Sequence, residues 1–279
     1  MKASPNQTLS EYCLDIEKRE TNRRVPWTHP IYIRIDGHKF SKFTKGMKRP
    51  FDNRMTESMR DLTVELMKAF DARLGYTQSD EISLVLYNPS SEYHIHGGKL
   101  QKITSRIASK ATAKFHSICC RYGLTEFIIQ HGIPEFDTRA YEMKNLYDTS
   151  RFLLWRHQDA IRNAISMTAQ THFSHKQLQG KSSEEMLEMM NEIGLAYDVM
   201  PRCFRFGRFL QKSKKIVMLS KEELAKIPEK HRPTEPVERN MITESLVVKR
   251  QTIQDILKMM LTPEDYENGL EKMFIDGDF

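Results

Sequence analysis

Two short stretches end or begin a strand on carboxylates. In "YIRID", residues 32 to 36, an apolar run stops on Asp36 and is followed at once by Gly37; further on, "TQSDEISLVLY" sets Ser79, Asp80 and Glu81 just ahead of another apolar run. Two carboxylates on neighbouring strands can bridge a pair of Mg²⁺ ions about 4 Å apart, which activate an attacking hydroxyl and stabilise the leaving phosphate oxygens. Mg²⁺ takes one or two carboxylates plus substrate phosphates, so Asp36, Asp80 and one backbone carbonyl suffice, and Gly37 lets such a carbonyl come close. The competing reading is that both aspartates cap turns, which is the commoner role for two arbitrary aspartates at strand ends.

Two basic clusters shift that balance. Lys102, Arg106, Lys110 and Lys114 recur every four residues, with no Asp or Glu between 99 and 114. Like charges stacked on one helix face repel, and an external anion such as a triphosphate would hold them. Lys39, Lys42, Lys45, Lys48 and Arg49 form a second cluster in the loop directly after Asp36. Taken alone, the helical stripe is more often a solvated face than a site.

The surrounding elements must bring the two acidic stretches together. Residues 8 to 20 read as a helix. "HPIYIRID" reads as a strand with Ile31, Ile33 and Ile35 on one face and Tyr32, Arg34 and Asp36 on the other. Residues 54 to 71 form a helix whose stripe is Met55, Met59, Leu62, Leu66 and Phe70. "GYTQSDE" has turn chemistry and "ISLVLY" is a buried strand. Residues 99 to 118 form a second helix with Leu100, Ile103, Ile107, Ala111 and Phe115 on one stripe, and a strand-like "EFIIQHG" follows. The order β-α-β-β-α-β defines an α+β fold of ferredoxin type, with helices on one sheet face and the other face open for a site. In that topology the first strand lies beside the hairpin, so Asp36 and Asp80 can converge. Strand alternation alone puts Asp80 on the side of Ile82 and Leu84, but a residue at a hairpin tip is free to twist away.

The chain's 279 residues, 39% of them apolar, suffice for one large domain or two of ordinary size. Net charge is +6 at pH 7, which favours polyanionic partners. No window of eighteen apolar residues exists, and the polar N-terminus lacks the apolar run of a signal peptide, so the expectation is a cytoplasmic protein that engages no membrane. Cys13, Cys119, Cys120 and Cys203 lack paired metal-ligand spacing and read as reduced thiols.

The stretches "RIDGHKFSKFT", "RPFD" and "YTQSDEISLVL" together resemble the tRNA(His) guanylyltransferase family. "LLWRHQDAIRNAI" (153 to 165), "LQGKSSEEM" (178 to 186) and "MPRCFRFGRFL" (200 to 210) resemble its later blocks in the same order, so the resemblance spans roughly residues 5 to 220. It implies a polymerase-palm-like catalytic core working with two Mg²⁺ ions, and nucleotide addition in the 3′-to-5′ direction onto the 5′ end of tRNA. ATP or GTP activates the 5′-phosphate, and the 3′-hydroxyl of the incoming nucleotide attacks it. It further implies a homo-tetramer. Asp36, Asp80 and Glu81 match the family's catalytic carboxylates, and Asp36, Gly37 and Asp80 its metal ligands. Asp36, Gly37, His38, Lys39, Phe40, Ser41, Arg49, Ser79 and Asp80 are carried over as nucleotide contacts. Lys102 and Arg106 align more loosely with holders of a second triphosphate, and Arg156, Arg162 and Asn163 are candidates for contact with RNA.

One departure from the family pattern bears on the reaction. Where guanosine-adding members carry a His-Ile-Asn-Asn run, this chain reads Ile161, Arg162, Asn163 and Ala164. That is closer to the family's like proteins, which restore missing 5′ nucleotides by pairing with the acceptor strand. A nucleotidyl cyclase of the same palm fold, dimeric and acting without RNA, is the alternative. A catalytically idle RNA-binding protein is a third possibility.

The same reading divides the chain into a palm-like domain (1–140), a helical, finger-like RNA-binding part (141–220), and a linker with a helical extension (221–279). Trp155 is expected in the core, and Arg156 and Arg162 on a solvated or phosphate-bound face. Ser182 with Glu185 forms a capping box opening a helix. "FRFGRF" reads as one strand around Gly207, and residues 244 to 275 as helical.

Overall fold

Alternation in the first strand sets the architecture. Ile31, Ile33 and Ile35 are fully buried on one side of β1 (Ile31–His38) and Tyr32 is fully buried on the other, so this strand is covered on both faces. The structure is a computed structural model, described here for residues 7–89, 91–262 and 265.

A helix, α1 (Leu9–Thr21), precedes β1. The chain then makes the single turn α2 (Phe40–Phe43), the helix α3 (Asn53–Phe70) and a hairpin of β2 (Leu74–Gln78) and β3 (Glu81–Leu86). There follow α4 (Leu100–Arg121), α5 (Thr125–His131), β4 (Glu135–Glu142), α6 (Leu146–Ala169), α7 (His175–Leu178) and α8 (Ser183–Glu192). The last elements are α9 (Arg202–Phe206), β5 (Arg208–Val217), α10 (Lys221–Ala225), β6 (Val237–Ser245) and α11 (Ile253–Met260). The strands form one antiparallel sheet in the order β4-β1-β3-β2-β5-β6. Its first four members have the strand order that a split β-α-β-β-α-β unit requires.

Both expected helical stripes cover the isoleucine face. Asp52 caps α3 by accepting the Arg54 N–H at 2.9 Å, and Met55, Met59, Leu62, Leu66 and Phe70 are buried. Leu100, Ile103, Ile107, Ala111 and Phe115 of α4 join the same core. The opposite face, expected to be open, is largely covered. Tyr32, Tyr76, Val85 and Phe209 pack there with Leu153 and Ala160 of α6 and Ile256, Leu257 and Met260 of α11. What stays accessible is a cleft between α6 and the end of the sheet that carries Asp36.

Several local expectations give way to tertiary context. "EFIIQHG" is the helix α5, in which Phe127 packs into the core, and the fourth strand is the next segment, β4. As an edge strand of mostly polar residues, β4 gives little periodic signal. "FRFGRF" is split at Gly207 (φ +71°), with α9 before it and β5 after. A Cβ at Gly207 would stand 2.5 Å from the Tyr76 hydroxyl, so only glycine fits this junction. The stretch expected to be helical from 244 to 275 begins as the end of β6, and α11 occupies 253–260; residues 263, 264 and 266–275 of it lie outside the described residues. Trp155, expected in the core, is 45% exposed. The Ser182–Glu185 capping box is present and opens α8. Among the described residues no helix is long and apolar enough to cross a membrane.

His157 ties the segment before α11 to α6. Its ring is fully buried against Tyr76 and Phe209, and Nε2 accepts the backbone N–H of Gln251 at 3.1 Å, which requires a neutral imidazole. Burial pushes its pKa down to about 4. An unfolded histidine titrates near pH 6.5, so between that pH and 4 the unfolded chain binds a proton that the folded chain refuses. The resulting stabilisation, on the order of 3 kcal/mol, is complete above about pH 6.5 and is lost as pH falls toward 4. In urea titrations, His157→Gln should therefore lose about 2 kcal/mol less stability than wild type between pH 7 and 4.5; identical losses would show that His157 is not a source of acid sensitivity.

Candidate active site

The β1–β3 register sets Asp36 directly opposite Glu81, and the Asp80 carbonyl accepts the Gly37 N–H at 3.2 Å. Gln78 pairs with Glu81 and closes the hairpin over Ser79 and Asp80. Ser79 has φ +55°, the positive value that a tight two-residue hairpin turn demands of a central position. The tip is further held by Thr77 Oγ1 donating to the Glu81 carbonyl at 3.0 Å, and by Gln78 Nε2 donating to the Phe204 carbonyl at 3.3 Å. Asp36, Asp80 and Glu81 thereby line one cavity of about 350 Å³, together with Arg156, Asn163 and Gln170. The two acidic stretches do meet.

Their charges are not treated alike. Arg156 grips Glu81 in a two-pronged pair, Nε to Oε1 at 2.7 Å and Nη2 to Oε2 at 2.6 Å, and also reaches Asp159 at 3.0 Å. Burial raises the Glu81 pKa, and the Arg156 guanidinium opposes that rise. Asp80 is pushed up to about 6, first by burial and then by the negative charge of Asp36, with the Ser79 side chain pulling the other way. Among the described residues neither Asp36 nor Asp80 forms an ion pair. An uncompensated carboxylate pair of this kind is stabilised by a cation.

The donor set fits Mg²⁺ completed by substrate phosphates. Among the described residues no group of three or more His, Cys, Asp or Glu side chains could hold a metal by itself, and Mg²⁺ in phosphoryl-transfer sites takes one or two carboxylates. Asp36 and Asp80 line the cavity and would supply those two carboxylates, with the Gly37 carbonyl as the expected backbone donor beside them. Gly37 has a further steric reason to be glycine: a Cβ there would stand 2.3 Å from Cδ2 of Phe40, whose ring turns back into the core.

A second cavity, of about 320 Å³, lies on the other side of the hairpin tip. Its wall includes Phe51, Met55 and Phe204, and its rim Ser41, Lys48 and Arg49. Gln78, Ser79, Asp80 and Met167 border both cavities. An apolar wall beside cations suits a base and its phosphates. Of the expected nucleotide contacts, Ser41, Arg49, Ser79 and Asp80 stand around this space. Phe40 touches it from the core, while His38 and Lys39 are exposed on the turn leading to α2.

Lys102 and Arg106 are not brought to this site within the chain. Thr112 Oγ1 accepts the Phe136 N–H at 3.2 Å, and Phe136 pairs with Gly37, so the Asp36 end of the sheet lies at the Thr112 turn of α4. Lys102 is ten residues earlier, about 15 Å back along the helix, and both residues are exposed and border neither cavity. Lys114 is compensated from α3 by Glu65 at 2.9 Å, so this stripe is in part an ordinary interhelical ion-pair face. Arg162 is exposed and held by Asp159 at 2.8 Å, outside the cavity lining, whereas Asn163 faces into it. Sequence reading missed Gln170, Ser166 and Met167. The spacing of Arg156, Ala160, Asn163, Met167 and Gln170, alternately four and three, would have shown them on one helical face.

Residues 11–144 match the family model Thg1, tRNAHis guanylyltransferase. A bacterial tRNA(His) guanylyltransferase-like protein in complex with ATP is 31% identical and superposes with a TM-score of 0.67, over 74% of this chain and 87% of that one. The chain belongs to the tRNA(His) guanylyltransferase family. A GTP complex of such a bacterial protein is similar at 28% identity and a TM-score of 0.60, over 74% and 86% of the two chains. The tRNA(His) guanylyltransferase of Candida glabrata is 25% identical over 75% of this chain and 92% of its own length. The six-stranded sheet is thus the palm-like sheet of a nucleotidyltransferase family.

Asp80 yields a direct test of the carboxylate pair. Its folded pKa of about 6 lies above the ordinary aspartate value, so the folded state is penalised as pH rises from about 4 through 6. Without divalent ions, Asp80→Asn should be more stable than wild type at pH 7.5, by on the order of 2 kcal/mol, and no more stable at pH 4. Added Mg²⁺ should raise the Tm of wild type alone. A wild type as stable as the variant at pH 7.5 would contradict the pairing.

Proposed function

We propose that this protein adds nucleotides in the 3′-to-5′ direction to the 5′ end of a tRNA, and that it repairs truncated ends by pairing with the acceptor strand. The observation carrying this reading is the uncompensated Asp36–Asp80 pair at a hairpin tip between two cavities, one apolar-walled with a cationic rim and one polar. The family's ATP- and GTP-bound bacterial neighbours and its tRNA-named members support nucleoside triphosphates and tRNA as the substrates.

In the first step an oxygen of the RNA 5′-monophosphate attacks the α-phosphorus of ATP or GTP. A new P–O bond forms, the bond to the bridging oxygen breaks, and pyrophosphate leaves. In the second step the 3′-hydroxyl of the incoming triphosphate attacks the RNA 5′-phosphorus, its proton passes to water, and the nucleoside monophosphate leaves. Mg²⁺, as two ions held by Asp36, Asp80 and the Gly37 carbonyl, would lower the hydroxyl's pKa and take up charge on the leaving oxygens. The protein's own groups orient the reactants. Lys48, Arg49 and Ser41 meet phosphates, and Phe51, Met55 and Phe204 exclude water around a base. Arg156 keeps Glu81 charged and fixed opposite Asp36, while Asn163 and Gln170 offer hydrogen bonds to the RNA end.

Templated repair is favoured by what replaces the His-Ile-Asn-Asn run. Ile161 and Ala164 are buried against Met190 and Phe204, where neither can reach a substrate. Homo-tetramer assembly belongs to the same reading.

The test is 5′ extension of a monophosphorylated tRNA lacking its first nucleotide, beside an intact one, with Mg²⁺, ATP and each triphosphate in turn. The truncated tRNA alone should be extended, with the pairing nucleotide, and Asp36→Ala and Asp80→Ala should each lower the rate about a hundredfold or more. Guanosine added to the intact tRNA would refute templated repair, and undiminished variants would refute the site.

A further inference from the structure

The strand registers lay out a grid on the face that α6 covers. One cross-strand row holds Asp137, Asp36 and Glu81, the next Arg139, Arg34 and Ser83, and the third Tyr141, Tyr32 and Val85. Carboxylates, cations and aromatics therefore follow one another inward from the reactive end of the sheet. The aromatic row continues onto α6. The Phe152 ring lies 4.9 Å from that of Tyr32 and 5.3 Å from that of Tyr141, and the Trp155 indole meets Phe152 edge-on at 5.5 Å and 86°.

Trp155 ends this stack and is 45% exposed. A side chain this large is costly to leave in water, and it stands on a rigid base of rings. The Arg156 guanidinium carbon is 4.7 Å from the indole centroid, and the same guanidinium binds Glu81. One cation thus separates the indole from the carboxylate row. Beside it, Arg34 Nε is buried with no hydrogen-bond partner, a donor that a ligand oxygen would satisfy. Arg139 is exposed, and its nearest carboxylate, on Asp137, is 3.7 Å away.

We infer that Trp155 is a stacking platform for an unpaired base at the open end of the RNA, with the adjoining backbone phosphate at Arg34 and Arg139. The inference rests on the RNA-end reading above. An RNA that lacks its first nucleotide exposes an unpaired base on the opposite strand, next to the 5′-phosphate to be extended. Aromatic faces hold such bases without regard to sequence, and cations beside the aromatic face complement the backbone. This separates the role of Trp155 from nucleotide binding, since the indole borders neither cavity.

The chain has two tryptophans, so Trp27→Phe leaves Trp155 as the sole indole reporter. The probe is a 5′-monophosphorylated RNA hairpin with a single-stranded 3′ overhang, titrated at fixed salt, with ATP alone as control. The overhang hairpin should quench Trp155 emission saturably and ATP should not. Trp155→Ala should weaken hairpin binding about tenfold and Trp155→Phe less, with ATP affinity unchanged in both. Hairpin binding that leaves the emission unchanged, and equal affinity in Trp155→Ala, would overturn the platform while the proposed function stood. Emission that shifts with protein concentration alone would assign the surface to a second copy of the chain and overturn it likewise. A wild-type protein that binds no RNA would overturn both readings.

Discussion

The hydrogen bond from the Gly37 N–H to the Asp80 carbonyl is the constraint on which the site depends. It extends the β1–β3 ladder one step beyond the Asp36–Glu81 pair and ties the hairpin tip to the strand end. Two carboxylates are then close enough for the charge of one to raise the pKa of the other. Such proximity is unfavourable in the free chain, and it persists because the surrounding structure over-determines it: Ile31, Ile33 and Ile35 are fixed in the core on one side and Tyr32 on the other. A one-residue slip of β1 would turn Asp36 into the isoleucine core and expose the isoleucines, so the hydrophobic pattern specifies the site as firmly as it specifies the fold.

Glu81 shows how the same row of carboxylates is divided into different roles. Arg156 reaches it from α6, a helix that lies outside the split β-α-β-β-α-β unit. The ion pair draws the later part of the chain onto the sheet and neutralises one carboxylate of the row. The negative potential is left concentrated on Asp36 and Asp80. Breaking a partly buried pair of this kind leaves an uncompensated charge on whichever partner remains. Structure and electrostatics are thus coupled through a single guanidinium.

Much of this was legible from residue order. The stripes of α3 and α4 and the parity of β1 follow from periodicities that a single amphipathic element must obey. The meeting of Asp36 with Asp80 follows from topology once the hairpin is recognised. The fourth strand was not legible, because β4 is a polar edge strand and α5 just before it is rich in β-branched residues. Nor was the cover on the second sheet face, since Leu153, Ala160 and Ile256 reveal their target only when distant segments are packed together. Trp155 illustrates the same limit in reverse. An indole is placed in the core by default, whereas here it caps a ring stack at the surface. The basic stripe of α4 was read as facing the site, but helix length carries Lys102 and Arg106 away from it.

Mn²⁺ binding followed by electron paramagnetic resonance, with Mn²⁺ standing in for Mg²⁺ and a non-hydrolysable ATP analogue present, tests the Asp36–Asp80 pair most directly. Two Mn²⁺ ions per chain should bind in the presence of the analogue, with binding lost in both Asp36→Ala and Asp80→Ala. Mn²⁺ binding that is unchanged in both variants would contradict the assignment of this carboxylate pair as the metal site.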